Sequence, residues 1–258
     1  MFLYPEVIEV FLRGMQMNKC IFNNYIFPYQ EFMVLSALTG LDKLNILMDK
    51  KKEELNQKSV NQILFQLYQK EIICWKAEKL YELNPKIRSL FLNIKESKRE
   101  LQIYGKNQKS PFLCYLGKEF VVTELSENDR NAIKIHGISQ QNFIKELQDR
   151  GFIPVENENA DFDMEESLIQ GIEEEFWVKN LLKSMEKTNF QMNQFPQIME
   201  EEEHVQTTFS IYDKKKKWEK QDVFLLDCGI KDCIMFRENG TVRFAGYSAE
   251  KLKDILRI

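Results

Sequence analysis

Histidine is scarce in this sequence. Its 258 residues include only His136 and His204, too few for a histidine-rich metal site or for most histidine-based acid–base chemistry. The five cysteines are odd in number and scattered, and no two form a C-x-x-C pair, so neither a disulfide framework nor a zinc knuckle is predicted. We expect no metal and no cofactor, and we interpret the cysteines as reduced core thiols.

Long apolar runs are also lacking. No stretch reaches the 18 or so apolar residues that a transmembrane helix needs, and the opening segment is interrupted by Glu6, Glu9 and Arg13. That segment also has no basic residues ahead of its apolar ones, as a signal peptide would. We therefore expect a cytoplasmic protein with no membrane insertion.

Motifs of the common enzyme classes are missing as well. No G-x-S-x-G, Walker A, G-x-G-x-x-G or H-E-x-x-H spacing occurs. The acidic runs Glu173–Glu175 and Glu200–Glu203 are typical of solvated surfaces, since adjacent carboxylates repel each other when buried. His136 and Lys134 are two residues apart on a predicted strand and therefore share one of its faces. This placement favours an imidazole that is solvated or lies at the edge of the core. We expect a non-enzymatic protein without catalytic residues.

What the sequence does contain is enough apolar material for a core. Hydrophobic residues make up 43%, charged residues 29%, and there are only 10 Gly and 6 Pro, which together argue against a disordered chain. The N-terminal patterns predict an opening helix after Pro5, a strand-like segment to Phe27, three helices and a hairpin. The three helices start at Pro28, Lys43 and Ser59, the last with Gln62 as a capping box, and the hairpin strands are Ile72–Trp75 and Leu80–Leu83. This order is typical of a winged helix.

A helix, four short strands and a closing helix then occur twice. Asn84-Pro85 starts the first set, whose predicted strands are Leu101–Tyr104, Phe112–Leu116, Phe120–Leu125 and Ile133–Ile138. The helix after Ser139 is predicted to stop at Gly151, with Phe152 packing back on Leu147. A polar linker and a long helix from about Met164 to Lys187 precede the second set, with strands at Val205–Tyr212, Val223–Asp227, Cys233–Arg237 and Thr241–Ala245 and a helix capped by Ser248. Asn239-Gly240 predicts a hairpin turn.

These patterns predict an α+β fold: a pseudo-twofold body of antiparallel β-meanders flanked by helices, with a winged-helix-like N-terminal part. Residues 1–154 form the N-terminal half and residues 155–258 the C-terminal half of one compact unit. Neither half-sheet has enough strands to be stable alone, which favours their union.

Charge patterning favours a protein partner. The winged-helix-like region, residues 28–83, has 8 Lys, 8 acidic residues and no Arg, so it lacks the cations that bind phosphates, and we expect no nucleic acid. Residues 161–203 carry a net charge of −9 and residues 212–258 carry +3, an asymmetry that can orient a charged partner. Lys214–Lys217 predict a hairpin tip that is either solvated or an interface anchor. As partner-binding candidates we select strand-edge aromatics and a tip lysine: Phe120, Tyr212, Lys215 and Trp218.

Four segments resemble the EspG-type chaperones of bacterial type VII (ESX) secretion. They are Phe27-Pro28-Tyr29-Gln30-Glu31-Phe32, Lys70-Glu71-Ile72-Ile73, Tyr81-Glu82-Leu83-Asn84-Pro85, and the helix Phe143–Leu147 closing on Arg150-Gly151-Phe152-Ile153-Pro154. The duplicated meander is similar to that family's pseudo-twofold body, and the likeness is to a divergent member from a bacterium that exports LXG-type toxins.

The resemblance implies a cytosolic, non-catalytic chaperone or adaptor. It would bind the apolar tip of a helical secretion substrate, such as an LXG-type toxin or a small helical partner, keep it soluble and help to target it to the membrane ATPase. Two other functions remain open: a winged-helix transcriptional regulator, and an immunity protein that blocks a toxin.

Overall fold

The computed structural model of this chain describes residues 24–41, 55–76, 80–108, 111–129, 131–155, 204–216, 219–227, 232–238 and 241–258. Four predicted features lie outside these ranges: the helix after Pro5, the helix from Lys43 to Lys52, the long helix from Met164 and the Asn239-Gly240 turn.

Antiparallel strands form one nine-stranded sheet and a separate hairpin. In chain order they are β1 (Tyr25–Pro28), β2 (Ile73–Lys76), β3 (Leu80–Leu83), β4 (Arg99–Gly105), β5 (Phe112–Leu116), β6 (Phe120–Leu125), β7 (Ala132–Ile138), β8 (Val205–Asp213), β9 (Glu219–Asp227), β10 (Asp232–Glu238) and β11 (Thr241–Gly246). The hairpin is β2–β3, and the sheet has the order β1-β7-β6-β5-β4-β8-β9-β10-β11. The eight strands predicted for the two meanders are confirmed; β9 begins four residues before the predicted Val223, and the other strand ends differ by no more than two residues.

The two meanders are joined edge to edge. Strands β4 and β8 pair antiparallel from Arg99↔Asp213 to Gly105↔Thr207. Each of these strands therefore has a hydrogen-bonded neighbour on both sides, and the sheet is continuous across the two halves. This large antiparallel sheet, together with the helices, confirms that the protein has an α+β fold.

Five helices are described, and they pack on both faces of the sheet. They are α1 (Tyr29–Leu38), α2 (Gln57–Gln69), α3 (Pro85–Glu96), α4 (Gln140–Asp149) and α5 (Ala249–Leu256). Strand β5 shows the alternation that separates two cores, because successive side chains point to opposite faces. Phe112 and Cys114 pack with α4 and α5, whereas Leu113 and Tyr115 pack with α1, α2 and α3.

Most predicted helix ends are confirmed. Asn84 caps α3 by accepting a bond from the Lys86 N–H at 3.0 Å. Ser248 caps α5 by accepting from Lys251 N–H at 3.1 Å. Gly151 follows α4 with φ +72°, and the Phe152 N–H bonds to the Leu147 carbonyl at 2.9 Å, the backbone pattern of the predicted Schellman stop.

The cap predicted for α2 is wrong. Helix α2 begins at Gln57, earlier than predicted, and its cap is Asn56, whose side chain accepts from both the Ser59 N–H at 2.9 Å and the Ser59 hydroxyl at 3.1 Å. Asn56 is the better cap, because its amide oxygen reaches the third helical N–H from a residue that is still extended. Ser139 does precede α4, but its side chain makes no capping bond.

None of the described helices is long and apolar enough to cross a membrane.

Candidate protein-interaction surface

Helix α2 exposes two aromatic side chains. Phe65 is 60% and Tyr68 is 51% exposed, and Asn61, at i, i+4 and i+7 with them, is exposed as well. We call these three residues the α2 outer face. At 100° per residue the two rings lie about 60° apart on the helix, so they form one small surface. Exposed aromatic rings cost free energy in water unless a partner covers them.

The opposite side of α2 is buried. Ile63, Leu64 and Leu67 pack in the core that α1 and α3 share, and Leu67 is fully buried. Because these side chains hold the helix from below, the outer face is presented by a rigid element.

An ion pair also holds the end of α2 against α1. Lys70 Nζ lies 2.5 Å from Glu31 Oε1, and Glu31 is only 4% exposed. Its other oxygen, Oε2, has no hydrogen-bond partner in the described part of the chain. Removing Lys70 would leave this buried side chain without its partner, so the contact fixes the end of α2 against α1.

The β2–β3 hairpin carries a third exposed aromatic. Trp75 is 54% exposed and pairs across the hairpin with Tyr81, edge to face at 5.0 Å between ring centroids. Beside them, Lys76 Nζ lies 2.6 Å from Glu82 Oε2. The hydrogen bond and the charge of Lys76 hold the pKa of Glu82 below its ordinary value. Phe65, Tyr68 and Trp75 were not among the predicted contacts.

The chemistry of α2 is unsuited to phosphate binding. The helix contains one lysine, Lys58, no arginine and no acidic residue, and the side chains of Asn61, Gln62, Gln66 and Gln69 are exposed. Lys70, just beyond the helix, is paired with Glu31. The outer face therefore offers amides and aromatic rings, which suit a protein surface better than a nucleic-acid backbone.

Phe120 and Tyr212, two of the predicted partner-binding residues, do not share a surface in the structure. Phe120 is 5% exposed, and its ring packs against Phe143 at 5.4 Å between centroids. Both Phe120 on β6 and Tyr212 on β8 belong to internal strands, so the premise that they lie on strand edges is wrong. The core position of Phe120 follows from alternation along β6, which directs it toward α4.

Tyr212 lies on the other face of the sheet from Phe120. It is half-buried and pairs with Glu100 and Lys220 on the neighbouring strands. Burial, with the nearby charges of Asp222 and Glu100, raises the pKa of its hydroxyl. Tyr212 is thus part of the sheet surface.

The lysine tip is only partly solvated. Lys215 is exposed in the β8–β9 turn, whereas Lys214 folds back: its Nζ donates to Ser97 Oγ at 2.8 Å and to the Ile94 carbonyl at 3.3 Å. Burial lowers the pKa of Lys214. This lysine therefore fastens the turn to the end of α3, and it is not available to a partner. Trp218 lies outside the described residues.

His136 is more buried than predicted. It is 4% exposed, and its Nε2 lies 3.5 Å from Glu146 Oε1. Arg150 links this pair to the sheet, because its Nε bonds to Glu146 Oε1 at 2.6 Å and its Nη1 to Glu124 Oε2 at 2.6 Å. Glu124 also pairs with Lys134 at 2.8 Å. These five residues form an ion network between α4 and strands β6 and β7.

The network sets the charge state of its carboxylates. The hydrogen bond from His136, together with Arg150, lowers the pKa of Glu146 to about 2. Cys114 beneath it is fully buried, and burial with the nearby Glu146 charge raises the pKa of its thiol. The contacts of Glu146 with His136 on β7 and of Arg150 with Glu124 on β6 hold α4 on the sheet.

Metal ligands do not converge anywhere in the described ranges: no group of three or more His, Cys, Asp or Glu side chains there is placed to hold a metal ion.

A sequence signal for the α2 outer face did exist. Phe65 and Tyr68 lie about 150° and 90° from the centre of the stripe formed by Val60, Ile63, Leu64 and Leu67, too far around the helix to join the same core. Aromatic residues off the core stripe of a helix are candidates for an interface.

In comparisons with known proteins, no protein-family model and no curated protein matches this sequence.

Proposed function

We propose that this protein is a non-catalytic adaptor that binds another protein through the α2 outer face. The observation that carries the proposal is the exposure of Phe65 and Tyr68 on a helix that is otherwise uncharged apart from one lysine. Tyrosine and other aromatic residues are enriched at the centre of protein interfaces, where they contribute most of the binding energy.

The partner we propose is a helical secretion substrate, such as an LXG-type toxin or a small helical protein that accompanies it. The role is that of an EspG-type chaperone in the cytoplasm, which keeps the substrate soluble before export. This proposal draws on the sequence resemblance and on the surface chemistry: a helix packs its apolar ridge well against a helix that presents aromatic side chains.

The finer architecture belongs to the same proposal. We interpret α1, α2 and the β2–β3 hairpin as a winged-helix-like part and the two meanders as pseudo-twofold copies. The antiparallel β4–β8 junction supports the second interpretation, because a twofold axis perpendicular to a sheet relates antiparallel strands.

The test is co-expression with a helical protein encoded beside this one, followed by co-purification and measurement of affinity. Replacing Phe65 and Tyr68 together by alanine is expected to weaken binding by about 30-fold or more, equivalent to about 2 kcal/mol. Gln62→Ala with Gln66→Ala is the matched control, because it truncates two exposed residues of the same helix outside the outer face. All variants should keep the thermal midpoint of the parent protein.

Three outcomes oppose the proposal. Equal affinity of the aromatic double variant and the control would remove the α2 outer face as the binding surface. A specific shift of a DNA fragment at physiological salt, without a protein partner, would favour the winged-helix regulator. Binding to a globular toxin domain with loss of its activity would favour the immunity protein.

A further inference from the structure

The α2 outer face belongs to an uncharged stretch of the helix. Residues 59–69 include no acidic and no basic side chain; Lys58 precedes them, and Lys70 and Glu71 follow. Lys70 is paired with the buried Glu31, at 2.5 Å between Nζ and Oε1. At 1.5 Å per residue the uncharged stretch is about 16 Å long, or about three helical turns. A partner that covers it meets aromatic rings and amides.

The hairpin that follows α2 has an apolar side as well. Successive residues of a strand point to opposite sides, so Ile73 and Trp75 share one side of the hairpin. Their cross-strand partners on that side are Leu83 and Tyr81. Ile73 and Leu83 are buried in the core that also holds Leu67 of α2. Trp75 lies two residues, about 7 Å, farther along β2 and is 54% exposed, so its ring lies at the margin of that core.

Two charged residues of the hairpin lie on its other side. Lys76 follows Trp75 and Glu82 follows Tyr81, so both side chains point away from the apolar side. They pair with each other, at 2.6 Å between Lys76 Nζ and Glu82 Oε2. Trp75 therefore shares the uncharged character of the α2 outer face.

An uncharged surface selects against a charged partner. A charged side chain that is covered there loses its water and finds no opposite charge, which costs free energy. Apolar side chains are stabilised by contact with the rings, and an uncharged amide can exchange hydrogen bonds with Asn61. A nucleic-acid backbone or an acidic segment needs cations that residues 59–69 do not provide.

We propose that the partner segment covering the α2 outer face is an amphipathic helix without charged residues on its contact side, and that Trp75 is a second anchor for it. This inference rests on the proposed function and names the chemistry of its partner. The apolar ridge of the helix packs on Phe65, Tyr68 and Trp75, and uncharged polar side chains such as glutamine lie beside the ridge. Tryptophan and tyrosine are enriched among the residues that dominate binding energy.

The probe is a set of three 21-residue helical peptides, each on a polyethylene glycol–biotin handle, with leucine at the ridge positions. The positions beside the ridge are glutamine in the first peptide, glutamate in the second and lysine in the third. Biolayer interferometry with the full chain should show the tightest binding for the glutamine peptide and at least fivefold weaker binding for both others. Because no charge pair takes part, the affinity for the glutamine peptide should change less than twofold between about 50 and 500 mM NaCl.

Charge placed on α2 gives a second measurement. Asn61→Asp and Asn61→Lys should each weaken binding of the glutamine peptide at least fivefold, because a charge of either sign is covered without a counter-charge. The same two changes at Gln66 are the matched control, because this exposed residue lies about 130° around the helix from the outer face. Trp75→Ala should weaken binding at least tenfold, whereas Lys76→Ala, on the other side of the hairpin, should leave it unchanged.

The outcomes separate this inference from the proposed function. If Phe65→Ala with Tyr68→Ala abolishes peptide binding and Trp75→Ala does not weaken it, Trp75 is not an anchor, and the adaptor function stands. If binding survives the Phe65 and Tyr68 double variant, the α2 outer face is not the binding surface and both proposals fall.

The uncharged partner has its own refutation on the unaltered protein, so the inference stays testable if a variant does not fold. It is overturned if a charged peptide binds as tightly as the glutamine peptide, if none of the three peptides binds, or if affinity falls steeply with salt. Opposite effects of Asn61→Asp and Asn61→Lys would also overturn it, because they would reveal a charged partner surface.

Discussion

Replacing Glu146 by glutamine tests the ion network that joins α4 to the sheet. In the folded protein Glu146 is hydrogen-bonded by His136 and Arg150, and these contacts lower its pKa from the ordinary 4.5 to about 2. Each pKa unit corresponds to 1.36 kcal/mol, so the full difference is equivalent to about 3 kcal/mol. Because the side chain is 27% exposed, solvent screening reduces the contribution to about 2 kcal/mol.

The dependence on pH follows from the sign of the change. A carboxyl group whose pKa is lower in the folded state stabilises the fold above its unfolded pKa, and this contribution is lost as pH falls from about 5 toward 2. Glu146→Gln should therefore lower the free energy of unfolding by about 2 kcal/mol at pH 7, and the difference from the parent protein should shrink toward pH 3.

Urea denaturation at several pH values between 3 and 7.5, with the slope m compared between variants, measures this difference. Glu119→Gln is the control, because Glu119 is exposed in the β5–β6 turn and should change stability little at any pH. The reasoning is refuted if Glu146→Gln destabilises equally at pH 7 and pH 3.5, since the loss would then come from packing and not from charge.

Three further predictions concern stability in urea. Asn56→Ala should lower the free energy of unfolding by about 1 kcal/mol, because it removes the α2 cap, and Ser59→Ala should lower it by less. The reverse order would favour Ser59 as the cap. Lys214→Met should cost about 1 kcal/mol, because the Ile94 carbonyl and Ser97 lose a donor, whereas the same change at exposed Lys215 should have almost no effect; equal effects would contradict the anchoring role. Gly151→Ala should cost about 1 kcal/mol through its φ of +72° alone, because an added Cβ meets no atom within 4 Å; an unchanged midpoint would refute this.

Local patterns predicted the secondary structure well where the signal was itself local. The strands of both meanders follow from short β-branched and aromatic runs between turn residues, and the stop at Gly151 follows from glycine's access to positive φ. The start of α2 was missed because Asn56 and Ser59 are both good capping residues, and only the backbone geometry shows which one is still extended.

The candidate surface was harder to predict. Alternation alone does not say whether a strand is internal, and Phe120 and Tyr212 were assigned to edges that pairing with β5, β7, β4 and β9 removes. The Lys214 side chain was grouped with its exposed neighbours, because nothing near it in sequence shows that α3 ends beside the β8–β9 turn.

By itself the sequence determined the periodicities, the caps of α3 and α5 and the charge distribution, and hence an α+β fold with little positive charge on its N-terminal helices, because each of these depends on residues within a few positions of one another. Only the tertiary structure decided that β4 and β8 join the two meanders and that Phe65 and Tyr68 remain outside every described core. These properties depend on which distant segments meet, and that is set by the packing of the whole chain.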